Sequence, residues 1–251
     1  IGKVQFSFGK TMHSSLQKLF ALANEKKGLG QAALFGANAV ETHGMRLKSD
    51  TDAHRASLRK DNSAPKIFSD ELKSIFTQSW IDDWYETKKQ KEEYKKLGLA
   101  ILNDFYAKYK DHWPETVFLE KSFSFRIGNS TGHYTIRGVI DRIDKIDSGY
   151  KIIDYKTGGA KTKLIFDEKE QLLIYQLALA DVFREPVAAL SFYYLENNSE
   201  IEFLGTGPEL DKLKIKIIAT IQEIIRGEFP AKPSVLCKYC DFFGICEFRK
   251  A

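Results

Sequence analysis

Residues 138–158 read Gly138-Val-Ile-Asp141-Arg-Ile-Asp144-Lys-Ile-Asp147-Ser-Gly149-Tyr-Lys-Ile-Ile-Asp154-Tyr-Lys156-Thr-Gly158. Two apolar runs of period two flank an Asp-Ser-Gly turn signal, the pattern of a β-hairpin. A turn on Ser148-Gly149 sets Asp147 opposite Tyr150, so that paired residue numbers sum to 297, Asp141 faces Lys156 and Ile143 faces Asp154. Side chains alternate along a strand, so Asp154 and Lys156 project from one face, and this register adds Asp141 to it. A cross-strand ion pair on a wet face would explain the hairpin alone. The apolar company of both aspartates (Val139, Ile140 and Ile143; Ile152 and Ile153) argues otherwise, because an unpaired carboxylate in a core-like strand is costly.

The same period extends upstream through VFLEKSFSFRI (117–127) and HYTIRGVIDRID (133–144), which makes an antiparallel meander. Downstream, the pattern predicts a helix over 167–183, a strand AALSFYYLE (188–196), a short strand over 201–204 and a helix over 208–226. Helices flanking a mixed sheet define an α/β (α+β) protein. Before the sheet, Met12, Leu16, Leu19, Phe20 and Ala23 recur at helical spacing over Gly9 to Lys26. Residues 28–66 hold no period and read as an insertion or lid. In a helical part over 67–112, Ser69-Asp70 opens a helix through Tyr85 with Leu72, Ile75, Phe76, Trp80 and Trp84 on one side. A charged helix over 88–109 follows, and its KKQKEEYKK run alternates in sign like a solvated face rather than a DNA tract. We expect one domain over 1–251, with the sheet core at 113–206 and a cysteine tract at 233–248.

The 251 residues carry 38 Lys+Arg against 34 Asp+Glu, a net charge of +4 that excludes a polycation. With 43% hydrophobic and 13% aromatic residues the chain supplies a core, which excludes general disorder. The longest apolar stretches, such as Val187 to Leu195, fall far short of the roughly 18 residues of a membrane span. The chain opens at Ile1 with no cationic-then-apolar leader, and we read it as a segment of something longer. Three cysteines, an odd number in one short tract, point to a reducing compartment and to metal chemistry rather than disulfides.

Two carboxylates converging across a strand pair, roughly 7–8 Å apart on the diagonal, suit a hard divalent cation. Mg²⁺ prefers octahedral oxygen ligands, so Asp141, Asp154 and the Tyr155 carbonyl would leave positions for water and a phosphate oxygen. Lys156 would position or deprotonate the attacking water and offset transition-state charge. Gly9-Lys10-Thr11 is no phosphate loop, because the earlier glycine would have to stand at Val4.

The ordered set G-x-I-D-R-I-D (138–144), D-Y-K-T-G (154–158) and a helix carrying Gln171 and Tyr175 resembles the RecB-like nucleases of the PD-(D/E)xK superfamily. Phe8-Gly9-Lys-Thr-Met-His13 is similar to that family's upstream F-G-x-x-x-H signature. The resemblance covers residues 5–26 and about 115–248. It implies a restriction-endonuclease-like fold, His13 as a metal ligand beside Asp141 and Asp154, Lys156 as the catalytic lysine, and Gln171 and Tyr175 as strand contacts or braces for the lysine. It further implies a Mg²⁺- or Mn²⁺-dependent deoxyribonuclease, exonuclease rather than endonuclease, acting on DNA with single-stranded character in repair or recombination. A UvrD-like helicase would be its upstream partner, and the location would be cytoplasmic and nucleoid-associated.

Cys237-x₂-Cys240-x₅-Cys246 presents three thiols on one short loop, suited to zinc or an iron–sulfur cluster, or simply to packing as reduced thiols. RecB-like domains, including those of helicase–nucleases and CRISPR-associated exonucleases, end in a similar tract. There a fourth cysteine upstream of the histidine signature completes a [4Fe–4S] site, and this chain has none before Gly9. The resemblance therefore implies a cluster ahead of zinc, one ligand short in this chain. Arg142, Lys161 and Lys163 are expected to supply phosphate contacts around the acidic pocket. The competing expectation is a catalytically silent DNA-binding or scaffold module of the same fold. A stand-alone iron–sulfur or zinc protein leaves the acidic hairpin unexplained.

Overall fold

In the computed structural model, residues 4–27, 65–130, 132–180 and 186–250 are described; the expected lid at 28–66 falls almost wholly outside them. The hairpin grows into a five-stranded sheet of order β1-β2-β3-β4-β5. Its strands are β1 (Glu115–Asn129), β2 (Gly132–Ile146), β3 (Gly149–Lys156), β4 (Val187–Tyr194) and β5 (Ser199–Phe203). Neighbours are antiparallel except β3 and β4, which run parallel because helix α4 (Phe166–Leu179) carries the chain between them. Three helices precede the sheet, α1 (Val4–Lys26), α2 (Ser69–Ser79) and α3 (Lys88–Tyr109), and α5 (Gly207–Arg226) follows it. No described helix is long and apolar enough to cross a membrane.

Strand alternation divides the core in two. Leu119, Ile153, Tyr155 and Tyr193 face the N-terminal helices and pack with Phe8, Met12, Leu16, Phe20, Leu102 and Phe105. Ile140, Ile143, Ile152, Leu190 and Phe192 pack on the other side with Leu172, Leu173 and Tyr175 of α4 and Leu213 of α5.

Several expected boundaries move for identifiable reasons. Helix α1 starts at Val4 rather than Gly9, because Phe8 is buried against the Tyr94 ring at 5.0 Å and holds the preceding turn down. Gly9 thus lies within a helix, a modest cost of roughly 0.5–1 kcal/mol relative to Ala. Helix α2 ends at Ser79 instead of Tyr85, since the Ile81 amide donates to Thr11 Oγ1 of α1 at 3.1 Å. Trp84, expected beside Leu72 and Phe76, is 54% exposed with φ +69°. Helix α4 ends at Leu179 with Ala180 as its cap, and the expected end at Phe183 lies outside the described residues. Helix α3 runs over 88–109 as expected, capped by the Gln90 amide donating to Thr87 Oγ1. Helix α5 carries a capping box, with the Thr206 amide donating to the Glu209 carboxylate at 3.0 Å, and ends at Gly227 with φ +73°.

The hairpin register is the main correction. Ile146 pairs with Gly149 and Ile143 with Ile152, so paired numbers sum to 295 and the turn is Asp147-Ser148. Gly149 is needed inside the strand instead: its φ is +137° and a Cβ there would stand 2.1 Å from the Pro186 carbonyl oxygen. The register differs from the expected one by two residues, and an even shift preserves the face, so Asp141, Asp154 and Lys156 still share one.

Candidate active site

The β2–β3 ladder stops at Arg142–Ile153. One residue further, the Tyr155 amide donates to Asp141 Oδ2 at 2.8 Å, so a side chain takes over where backbone pairing ends. This parting of the strands, at the C-terminal end of β3 where the chain leaves for α4, is the kind of crevice in which α/β sheets hold ligands. His13 reaches it from α1. Its Nδ1 lies 3.3 Å from Asp141 Oδ1 and its Nε2 3.2 Å from the Tyr155 carbonyl oxygen.

Glu120 of β1 joins them, a residue that strand alternation does not reveal. Leu119 pairs with Arg142 and Lys121 with Ile140, which sets Glu120 beside Asp141. Thr116, four residues earlier, pairs with Asp144 on the opposite face. A bulge at Val117 between Thr116 and Phe118 adds one residue and inverts the alternation, turning Glu120 to the Asp141 side. A ligand atom from each of His13, Glu120 and Asp141 lies within 4.8 Å of the others, the one such group of three among the described residues. Glu120 also has φ +47°, backbone strain of the sort that gathers at functional sites.

Asp154 faces the same side but its carboxylate is engaged elsewhere. Gln171 Nε2 donates to Asp154 Oδ1 at 2.7 Å and to Tyr175 Oη at 2.8 Å, while Lys156 Nζ donates to Gln171 Oε1 at 2.8 Å. Gln171 and Tyr175 are four apart on α4 and so present to β3 together. Lys156 Nζ also stands 2.7 Å from Asp154 Oδ2, an ion pair. The structure thus forms two adjoining groups, His13–Glu120–Asp141 and Asp154–Lys156–Gln171–Tyr175.

Their electrostatics are those of a crowded anionic site. Burial first, and the Asp141 charge second, push the Asp154 carboxyl up to about 6 against the pull of Lys156. Burial and Asp141 also raise Glu120, with His13 opposing. For His13, burial lowers the pKa, but the hydrogen bond and charge of Asp141, with Asp154 and Glu120 behind them, outweigh it and hold the imidazole above its ordinary value. Two carboxylates and an imidazole converging under like-charge repulsion form a donor set that fits a hard divalent cation.

Arg142 does not face the pocket, contrary to expectation. It is 2% exposed on the opposite side of the sheet, with Nη1 donating to Tyr155 Oη at 3.0 Å and Nη2 to Asp144 Oδ2 at 2.8 Å. Thr116 Oγ1 donates to Asp144 Oδ1 at 2.7 Å, completing a clamp across β1, β2 and β3 directly behind the site. Lys161 is paired with Glu168, and Lys163 is exposed.

The cysteines lie apart, on a 3₁₀ turn (Val235–Tyr239) and the turns after it. Cys237 and Cys246 are half-buried and Cys240 exposed, and the Ser234 amide donates to Cys237 Sγ at 3.3 Å. Around them Leu236, Tyr239, Phe242 and Ile245 are all more than half exposed.

The fold is that of a nuclease family. Over residues 2–247 the chain matches the PD-(D/E)XK nuclease superfamily, and it belongs to that superfamily; its sheet and flanking helices are the restriction-endonuclease-like α/β arrangement. No curated protein matches it. A solved structure described as "Crystal structure of SSO0001" superposes with a TM-score of 0.38 at 19% identity, over 65% of this chain and 81% of that one, a level that bears on neither fold nor function.

Proposed function

We propose that the chain is a metal-dependent deoxyribonuclease whose centre is built from His13, Glu120, Asp141, Asp154 and Lys156. The observation that carries this reading is the meeting of His13, Glu120 and Asp141 within 4.8 Å, next to a lysine tied to a buried aspartate. His13, Glu120 and Asp141 would hold Mg²⁺ or Mn²⁺, with Asp154 and the Tyr155 carbonyl alongside. When bound, the cation supplies charge neutralisation at the scissile phosphate and a lowered pKa for the attacking water.

The chain's own residues do the rest. Asp141 accepts the Tyr155 amide and so fixes the strand end. Asp154 orients Lys156 directly and through Gln171, which Tyr175 steadies. The Lys156 ammonium, partly open to solvent, places positive charge where a phosphoryl oxygen gains negative charge and orients the attacking water.

The RecB-like motif order supports a finer placement: an exonuclease of DNA repair or recombination, working beside a helicase in the cytoplasm, with DNA as partner. The cysteine tract is then a separate site for an iron–sulfur cluster or zinc, which iron and zinc analysis of anaerobically purified protein tests. The activity is tested by incubating the chain with labelled single- and double-stranded DNA in Mg²⁺, Mn²⁺ or chelator. Cleavage in metal alone is expected. Absence of cleavage in both metals overturns the reading in favour of a silent binding module.

A further inference from the structure

A cavity of about 420 Å³ lies along α1 between Gln5 and Gln17, and His13 and Glu120 are among the residues that line it. That volume falls in the range of about 300–1,000 Å³ typical of small-ligand pockets. Gln5, Gly9, His13 and Gln17 follow one another at four-residue steps, so one row of the helix floors the cavity and passes through the metal-ligand candidate. Gly9 contributes no side chain to this trough, and a Cβ in its place would stand 3.7 Å from Thr157 Oγ1.

Phe6 is the telling residue. It is 63% exposed, while Phe8, two positions on, is 4% exposed and packed in the core. Its ring lines the cavity and stands in solvent, outside both core clusters of the described residues. Lys10, next to it on the same face, is exposed and has no ion pair among the described residues.

We propose that this trough seats an unpaired base of the DNA strand, that of the nucleotide beside the scissile phosphate, with its face on Phe6 and its phosphate on Lys10. A ring can stack on a base only where the base has left its own stack, and in a duplex both faces are taken. Such stacking requires the single-stranded character that the family resemblance already implies, in a single strand or a frayed end. This rests on the nuclease reading above.

The test measures binding of a short labelled oligothymidylate and of a blunt duplex to the full chain in Ca²⁺, with wild type, Phe6→Ala and Phe6→Tyr. Phe6→Ala should weaken single-strand binding about tenfold, Phe6→Tyr should retain it, and duplex binding should not change. One abasic position in the oligonucleotide should cost the wild type the same factor and cost Phe6→Ala nothing further. Equal single-strand binding by Phe6→Ala, no binding by the wild type, or an abasic penalty of equal size in both proteins overturns the proposal. Phe6 lies outside the core, so an unchanged melting temperature for Phe6→Ala shows that folding is not the cause. Cleavage by the wild type in Mg²⁺ or Mn²⁺ reads the nuclease separately. Cleavage without dependence of binding on Phe6 defeats the trough alone, and dependence on Phe6 without cleavage defeats the nuclease alone.

Discussion

Asp154 and Lys156 sit where chemistry and stability pull in opposite directions. Asp154 is a buried carboxylate next to a second one, a repulsion the folded protein tolerates in exchange for a site. Asp154→Asn should therefore abolish metal-dependent cleavage while chelator-treated protein melts no lower than wild type, as followed by circular dichroism. Lys156→Ala should lower the cleavage rate by about 10²–10³-fold, the usual loss when one preorganised charge is removed from a developing oxyanion. Its melting temperature should fall little, because Asp154, which loses its counter-ion, is already pushed up to about 6 and can take a proton in its place. Retained cleavage in either variant would remove the residue from the centre. Arg142 belongs to a different class. Arg142→Met leaves Asp144 charged and buried and Tyr155 Oη without its donor, and should destabilise the fold by about 3–5 kcal/mol in urea titration.

These residues also show how much of the site the sequence made legible. His13, Asp141, Asp154, Lys156, Gln171 and Tyr175 were readable because motif order and strand alternation carry them, and because the two-residue register error left the face unchanged. Glu120 was hidden, since its orientation depends on an extra residue at Val117 that alternation cannot register. Arg142 was misplaced for want of a partner in view: only the fold reveals that Asp144, Thr116 and Tyr155 wait for it on the side of the N-terminal helices.

Among the elements, the hairpin turn is the point of least tolerance. A Cβ at Gly149 would meet backbone, the Pro186 carbonyl at the start of β4, in a φ that side chains avoid. Gly149→Ala should cost about 1–3 kcal/mol and lower the urea midpoint. The other strand junction is electrostatic. Lys151 of β3 bridges Glu200 and Glu202 of β5, and Ser191 of β4 donates to Glu200 at 2.9 Å. Burial alone would raise Glu200, but Lys151, Ser191 and Lys108 together hold it below the ordinary carboxylate value. A depressed folded pKa contributes stability above the unfolded value, about 4.3, and that contribution is lost as pH falls through the folded value. Glu200→Gln should accordingly melt lower than wild type at pH 7 and converge with it in acid. A pH-independent gap would assign Glu200 a packing role instead. Sequence periodicity located each of the described strands but could not show that β4 pairs parallel to β3, because pairing between strands separated by a helix leaves no local trace.

For the molecule as a whole, the candidate cation site joins α1 to β1 and β2, so binding is linked to global unfolding. Mn²⁺ at a hundred times its dissociation constant should raise the unfolding free energy by about 2.7 kcal/mol, and Asp141→Ala should lose that increment. An equal increment in both proteins would place the ion elsewhere.

That same linkage sets an order of events. His13 touches the Tyr155 carbonyl across 142 residues of chain, so the first helix leaves the ribosome long before the strand that completes the centre. Until β3 has been synthesised and has docked against α1, the nascent chain holds an isolated histidine and some scattered acids. The candidate centre is therefore complete only once the chain has folded through β3, and whatever chemistry it performs waits on that docking.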